Sequence, residues 1–161
     1  MKNTVMKEKG ITLVILVITI VVLAILATTV VTLTKNTLDD TKIYSFVTEL
    51  EVIEKKMYVI NKEIALGSTA YEDVGTKYDD LDSATQEKIQ VILNENSVSD
   101  YSNYRYLEAE KGDLLKLGLK NINQDVIISY DNSVVYSYNG LFLDGEIYHT
   151  IEQVQAVQNV Q

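Results

Sequence analysis

The 161-residue chain has no cysteine, no proline and no tryptophan, and it carries one histidine, His149, and one arginine, Arg105. Without cysteine there are no disulfide frameworks, thiolate zinc sites or cysteine nucleophiles. A single histidine excludes His-pair metal sites and leaves little for a catalytic triad. No G-x-S-x-G, phosphate loop or H-E-x-x-H is present, and there are no internal repeats. Positive charge is also scarce: 14 Lys+Arg stand against 23 Asp+Glu, a net of -9. The length suits one domain of ordinary size.

One stretch lacks charge altogether. Residues 11–34 are 24 uncharged, mostly apolar positions. A bilayer core about 30 Å thick needs about 20 such residues in helix, so this segment is expected to span a membrane. It is longer than the roughly 7–15-residue apolar region of a secretory signal. Cleavage after Ala27 would put Ile25 where a small side chain is preferred, so a conventional signal peptide fits poorly. Lys2, Lys7 and Lys9 precede the segment, opposed only by Glu8. The positive-inside rule then keeps this end in the cytoplasm and places everything after Thr34 outside. Without the leader, eleven basic residues face twenty-two acidic ones, a net of -11. Such a domain repels phosphate backbones, so direct nucleic-acid binding is not expected.

The leader ends in Lys9-Gly10, followed at once by Ile11-Thr12-Leu13-Val14 and the apolar helix. Over residues 9–26 the sequence resembles type IV prepilins and pseudopilins, most closely the pilin-like proteins of Gram-positive bacteria with AT-rich genomes; beyond that the likeness is architectural. The resemblance implies a prepilin peptidase cutting between Gly10 and Ile11 and methylation of the new Ile11 amine. It also implies partnership with other pilin-like subunits, a filament assembly platform and membrane lipid. Glycine at the cut gives a tight peptidase cleft access to extended backbone. An uncleaved signal anchor, with Gly10 a mere loop residue, is the alternative. The family's glutamate at the fifth mature position is replaced here by Ile15. The resemblance therefore does not separate a major subunit from an initiating or tip subunit. The proline that often kinks the family's first helix is missing too, so this helix is expected to be straighter, unless Thr28, Thr29 and Thr32 loosen it.

Apolar residues continue at helical spacing through Ile43, Phe46, Leu50, Ile53, Met57, Ile60 and Ile64. Steps of three and four give one apolar stripe. Glu49, Glu51, Glu54, Lys55, Lys56, Lys62 and Glu63 form the opposing solvated face, and Gly67 stops the helix. A continuous helix over 11–66 is roughly 84 Å long. Its stripe is expected to pack on the head rather than form a coiled-coil seam.

Residues 68–82 read as an exposed acidic loop. Asp79-Asp80-Leu81-Asp82 lacks the glycine and closing glutamate of a calcium loop, and no cofactor or metal is expected. Ser83-Ala84-Thr85-Gln86 reads as a capping box, opening a helix with Ile89, Ile92 and Leu93 on one face. Tyr101, Tyr104 and Tyr106 surround Arg105 and read as tyrosines half-buried at a domain edge, with a binding platform as the alternative. Asp113 to Gly118 reads as a one-turn helix with an aspartate cap. Residues 125–130 and 134–138 alternate like strands around a turn at 131–133. Asn139-Gly140 and Asp144-Gly145 are hairpin signals, with another strand over 146–150. His149 is expected to be a structural hydrogen-bonding residue, and the glutamine-rich tail to be frayed or a short helix.

The expected fold is α+β and pilin-like: a long N-terminal helix against a small antiparallel β-meander. The organisation is a leader at 1–10, a membrane and assembly half at 11–34, an amphipathic half at 35–66 and an exported head at 67–161. Function is expected to be that of a non-enzymatic structural subunit of a type IV filament or a secretion or competence machine. It would sit in the cytoplasmic membrane with its head outside. Thr19, Ala24, Ala27 and Thr28 are small enough to let such helices approach one another. The alternative is a monomeric, helix-anchored extracellular binding domain.

Overall fold

A computed structural model of the chain describes the backbone of residues 3–158 and the side chains of 15–24 and 39–158. Helix α1 (Asn3–Ala65) comes first. The chain divides into two compact units, Met1–Thr41 and Lys42–Gln161. In the first unit the side chains of residues 15–24 are all exposed, among them Ile15, Leu16, Val17, Ile18 and Leu23. The Thr19 hydroxyl donates to the Leu16 carbonyl at 2.8 Å, which satisfies it within its own helix. Thr28, Thr29 and Thr32 lie outside the described side chains. Among the described residues no helix is long and apolar enough to cross a membrane. Of the expected span 11–34, side chains are described only for 15–24.

The second unit is α+β. After α1 come β1 (Thr76–Lys77), a 3-10 turn (Tyr78–Asp80), α2 (Ser83–Glu95), β2 (Tyr104–Leu107), α3 (Asp113–Lys116), β3 (Val126–Ser129), β4 (Val135–Ser137), β5 (Leu141–Leu143), β6 (Glu146–Tyr148) and α4 (Ile151–Gln158). Strands β1 to β4 form an antiparallel sheet in sequence order, and β5 and β6 form a separate pair.

The apolar stripe of α1 is buried as its spacing predicts. Leu50, Ile53, Met57 and Ile60 are fully buried, clustered with Leu107, Val126, Ile128 and Val135 of the sheet and with Ile151 and Val154 of α4. Removing such a side chain from water contributes about 1.5–3 kcal/mol. The helix stops at Gly67, whose φ is +91°. The Gly67 N–H donates to Ile64 O at 2.8 Å and the Ser68 N–H to Glu63 O at 3.0 Å, closing the last carbonyls.

The second face of the sheet is covered too, which the one-faced meander expected from sequence did not include. Ile127 points away from α1 and packs with Tyr104, Tyr106 and Tyr136 on Ile89, Ile92 and Leu93 of α2. Strand β3 is thus buried along its whole length, the environment that favours an unbroken apolar run. Tyr104 and Tyr106 are core residues of a strand rather than an edge platform, while Tyr101 is half-buried against Tyr78.

Several local expectations shift. The cap of α2 is Asp82, not Ser83: its Oδ1 accepts from Ala84 N and Thr85 N, both at 3.1 Å. The capping box lies instead at α4. Thr150 Oγ1 accepts from Gln153 N at 3.2 Å, and Gln153 Oε1 accepts from Thr150 N at 3.2 Å. Asp113 does not cap α3 but sits in its first turn, buried, with Oδ1 accepting from Lys116 at 2.8 Å and Oδ2 from Glu108 N at 3.2 Å. The loop over 68–82 contains β1 and the 3-10 turn. Asp144-Gly145 forms the β5–β6 hairpin with both φ angles positive, +52° and +95°. Asn139-Gly140 does not close a hairpin, because β4 and β5 belong to different sheets. Gly140, at φ +69°, lets β6 approach: a Cβ there would meet Ile147 Cγ2 at 2.4 Å and Tyr148 O at 3.0 Å. His149 is buried just past β6 and ties the two sheets. Its carbonyl accepts from Ser137 N at 2.8 Å. Its Nδ1 donates to Ser137 O at 2.7 Å, since a carbonyl only accepts.

Candidate functional site

Processing was expected at Gly10 and Ile11 and helix approach at Thr19, Ala24, Ala27 and Thr28. Side chains at 10, 11, 27 and 28 lie outside the described residues. Thr19 and Ala24 are described and exposed, within a run whose large apolar residues are about half exposed, Ile15 being 55% and Leu23 64% accessible. An apolar surface of that extent is unfavourable in water.

In the second unit, α1 presents a further apolar surface on the side opposite its core stripe. At 100° per residue, Tyr44, Val52, Tyr58 and Val59 share this side. All four are exposed, as is Leu66 just beyond the helix. Polar groups break the stripe: Lys62 Nζ lies 5.2 Å from the Tyr58 ring centre, and Lys55 pairs with Glu51 at 3.1 Å. The expected solvated face of α1 is accordingly mixed. Glu49 accepts from Gln124 Nε2 at 3.0 Å, and Glu63 accepts from the Tyr71 hydroxyl, so both serve the head. Glu54 is only half exposed, and burial, followed by repulsion from Glu152, pushes its pKa up to about 7.

Arg105 anchors a cleft of about 350 Å3 at the β1–β2 edge of the sheet. Its Nη1 donates to Val74 O at 3.2 Å, and its guanidinium sits 5.3 Å from the Tyr130 ring centre. The Tyr130 hydroxyl donates to Tyr71 O at 3.2 Å. Burial pushes the Tyr130 pKa up to about 12, with the nearby Arg105 charge opposing that rise. Gly75 makes the close approach possible: at φ +74°, a Cβ would meet Leu107 Cδ1 at 2.6 Å and Tyr106 O at 3.0 Å. Lys77 stands directly opposite Arg105 in the β1–β2 register. Asp79, Ser102, Asn103 and Asp131 complete the lining. The sequence points to Arg105 through its tyrosine neighbours, but its pairing with Lys77 depends on a two-residue strand that no periodicity marks.

The phenols of Tyr106 and Tyr136 are held well above their ordinary range, chiefly by burial, and Tyr106 donates to Asp125 Oδ2 at 2.9 Å. These are neutral core donors, not acids poised to react. Among the described residues no group of three or more histidine or acidic side chains is arranged to hold a metal. No buried side-chain nitrogen or oxygen among them lacks a hydrogen-bond partner. The described surface carries exposed apolar positions on α1 and a charged cleft at Arg105. No protein-family model, curated protein or solved structure matches the chain.

Proposed function

We propose that the chain is a pilin-like, non-enzymatic structural subunit of a type IV filament or of a related secretion or competence machine. It is held in the cytoplasmic membrane by its N-terminal helix, with the head outside. A prepilin peptidase removes residues 1–10, and Ile11 becomes the methylated mature terminus. Lateral packing of helices from several chains through Thr19, Ala24, Ala27 and Thr28, on an assembly platform, then builds the polymer.

The observation that carries this reading is the junction Lys9-Gly10-Ile11-Thr12-Leu13-Val14, set where a cationic leader meets an uncharged run of helical length. Two features of the structure support it. The described residues 15–24 expose apolar side chains all round, as a lipid or helix-bundle segment does. In the second unit the side of α1 opposite its core stripe exposes Tyr44, Val52, Tyr58 and Val59 among its charged residues, which gives helix packing further apolar positions to use.

Mass spectrometry of the protein extracted from cells with an active prepilin peptidase tests the first step. The expected chain begins at Ile11, and Gly10→Asp retains the leader; wild-type protein still carrying residues 1–10 would refute processing. The native chain has no cysteine, so single-cysteine variants at Ala24 and Ala27 report cleanly on assembly. Oxidative cross-linking is expected to give ladders; monomers alone would favour the helix-anchored binding domain.

A further inference from the structure

The cleft at Arg105 is not explained by helix packing. Its four charged groups are arranged in an unusual way. Lys77 and Arg105 face each other directly across the β1–β2 ladder, and like charges at facing positions destabilise strand pairing. Composition does not force this, since acids outnumber bases in the chain. Asp79 and Asp131 line the same cleft, yet no ion pair joins either of them to either cation. Arg105 is fixed in advance: Val74 O holds Nη1, the Tyr130 ring lies against the guanidinium, and Tyr130 is itself held by Tyr71 O. A guanidinium ordered in this way loses little freedom when a ligand arrives.

We infer that this cleft binds a small zwitterion, a molecule carrying a carboxylate and an ammonium group close together, as in a free amino acid or a short peptide. The carboxylate lies between Lys77 and Arg105 and relieves their repulsion. The ammonium faces Asp79 and Asp131, and the Asn103 amide adds a neutral hydrogen bond. The charge balance selects this class. A pure anion would satisfy the two cations but meet both carboxylates, and the net charge of -9 repels it at long range. A pure cation would meet Lys77 and Arg105. A zwitterion pairs all four groups and is not repelled. The volume, about 350 Å3, falls at the small end of ligand pockets.

The test uses the full chain, isotope-labelled, in detergent micelles, so it is independent of whether filaments form. Backbone amide shifts of Lys77, Arg105 and Asp131 are followed by NMR during titration with L-alanine, L-alanyl-L-alanine, acetate and methylammonium. Saturable shifts are expected in the millimolar range with a zwitterion, at least about tenfold weaker with acetate and with methylammonium. Preference for alanine identifies a free amino acid, and preference for the dipeptide a peptide. Lys77→Gln and Asp131→Asn, both at exposed positions, are each expected to weaken binding several-fold and leave the remaining spectrum unchanged. The inference is overturned by an absence of saturation with either zwitterion, by acetate or methylammonium binding as tightly, or by unaltered affinity in either variant.

Discussion

Replacing Glu54 by glutamine should make the head more stable at alkaline pH. Glu54 lies on α1, half-buried, with its pKa pushed up to about 7 from the ordinary 4.5. Burial is the main cause and repulsion from Glu152 the next; the Val135 backbone and Lys55 act in the opposite direction. Because the folded state holds this proton more tightly than the unfolded chain, stability falls as pH rises from about 4.5 to about 7 and levels off above. The whole shift corresponds to about 3.4 kcal/mol without screening. The carboxylate still sees solvent, which reduces the effect to roughly 1–2 kcal/mol. Glutamine keeps the shape and never ionises. Urea unfolding of the full chain in micelles, followed by tyrosine fluorescence, is expected to show Glu54→Gln more stable than wild type by roughly that amount at pH 8. The gap should shrink at pH 5.5. Equal stability of the two proteins at pH 8, or a gap that does not change with pH, would refute the reasoning. Glu152→Gln should recover only part of the gain, since it removes the second cause and leaves the first.

Gly140→Ala is expected to destabilise by more than about 1 kcal/mol, because it adds strain at positive φ to a Cβ that collides with Ile147 and the Tyr148 carbonyl; denaturant midpoints check this. Ile53→Ala, at a fully buried position between α1 and the sheet, should cost about 2–5 kcal/mol in the same assay. Asp82→Ala removes the acceptor for the first amides of α2, so hydrogen exchange at Ala84 and Thr85 should quicken while the core strands stay protected.

The parts of the fold that could be read in the sequence are those with a strong local period. The steps from Ile43 to Ile60 permit only a helix with one buried face, and residues 126–129 and 135–137 are strands flanking a turn. The parts that escaped are set by contacts distant in the chain. Strand β1 is two residues inside an acidic loop and exists because β2 pairs with it. Asn139-Gly140 carries the sequence of a hairpin but is used to move the chain from one sheet to the other, where Gly140 meets β6. Asp82 displaces Ser83 as cap because its carboxylate reaches two amides at once. The capping box at Thr150 and Gln153 was hidden in a glutamine-rich tail. The cleft follows the same rule: Arg105 stood out as the single arginine among tyrosines, whereas Lys77 and Asp131 reach it only through the sheet. Glu54 looked like one more solvated acid until α4 brought Glu152 alongside.

The burial of Leu50, Ile53, Met57 and Ile60 against β2, β3 and β4 has a mechanical consequence. That length of α1 cannot be drawn out of the head one residue at a time, because these side chains resist sliding together. A pull along the helix loads the interlocked rows in shear. Slippage would have to open the interior itself, so this length of α1 and the sheet move together.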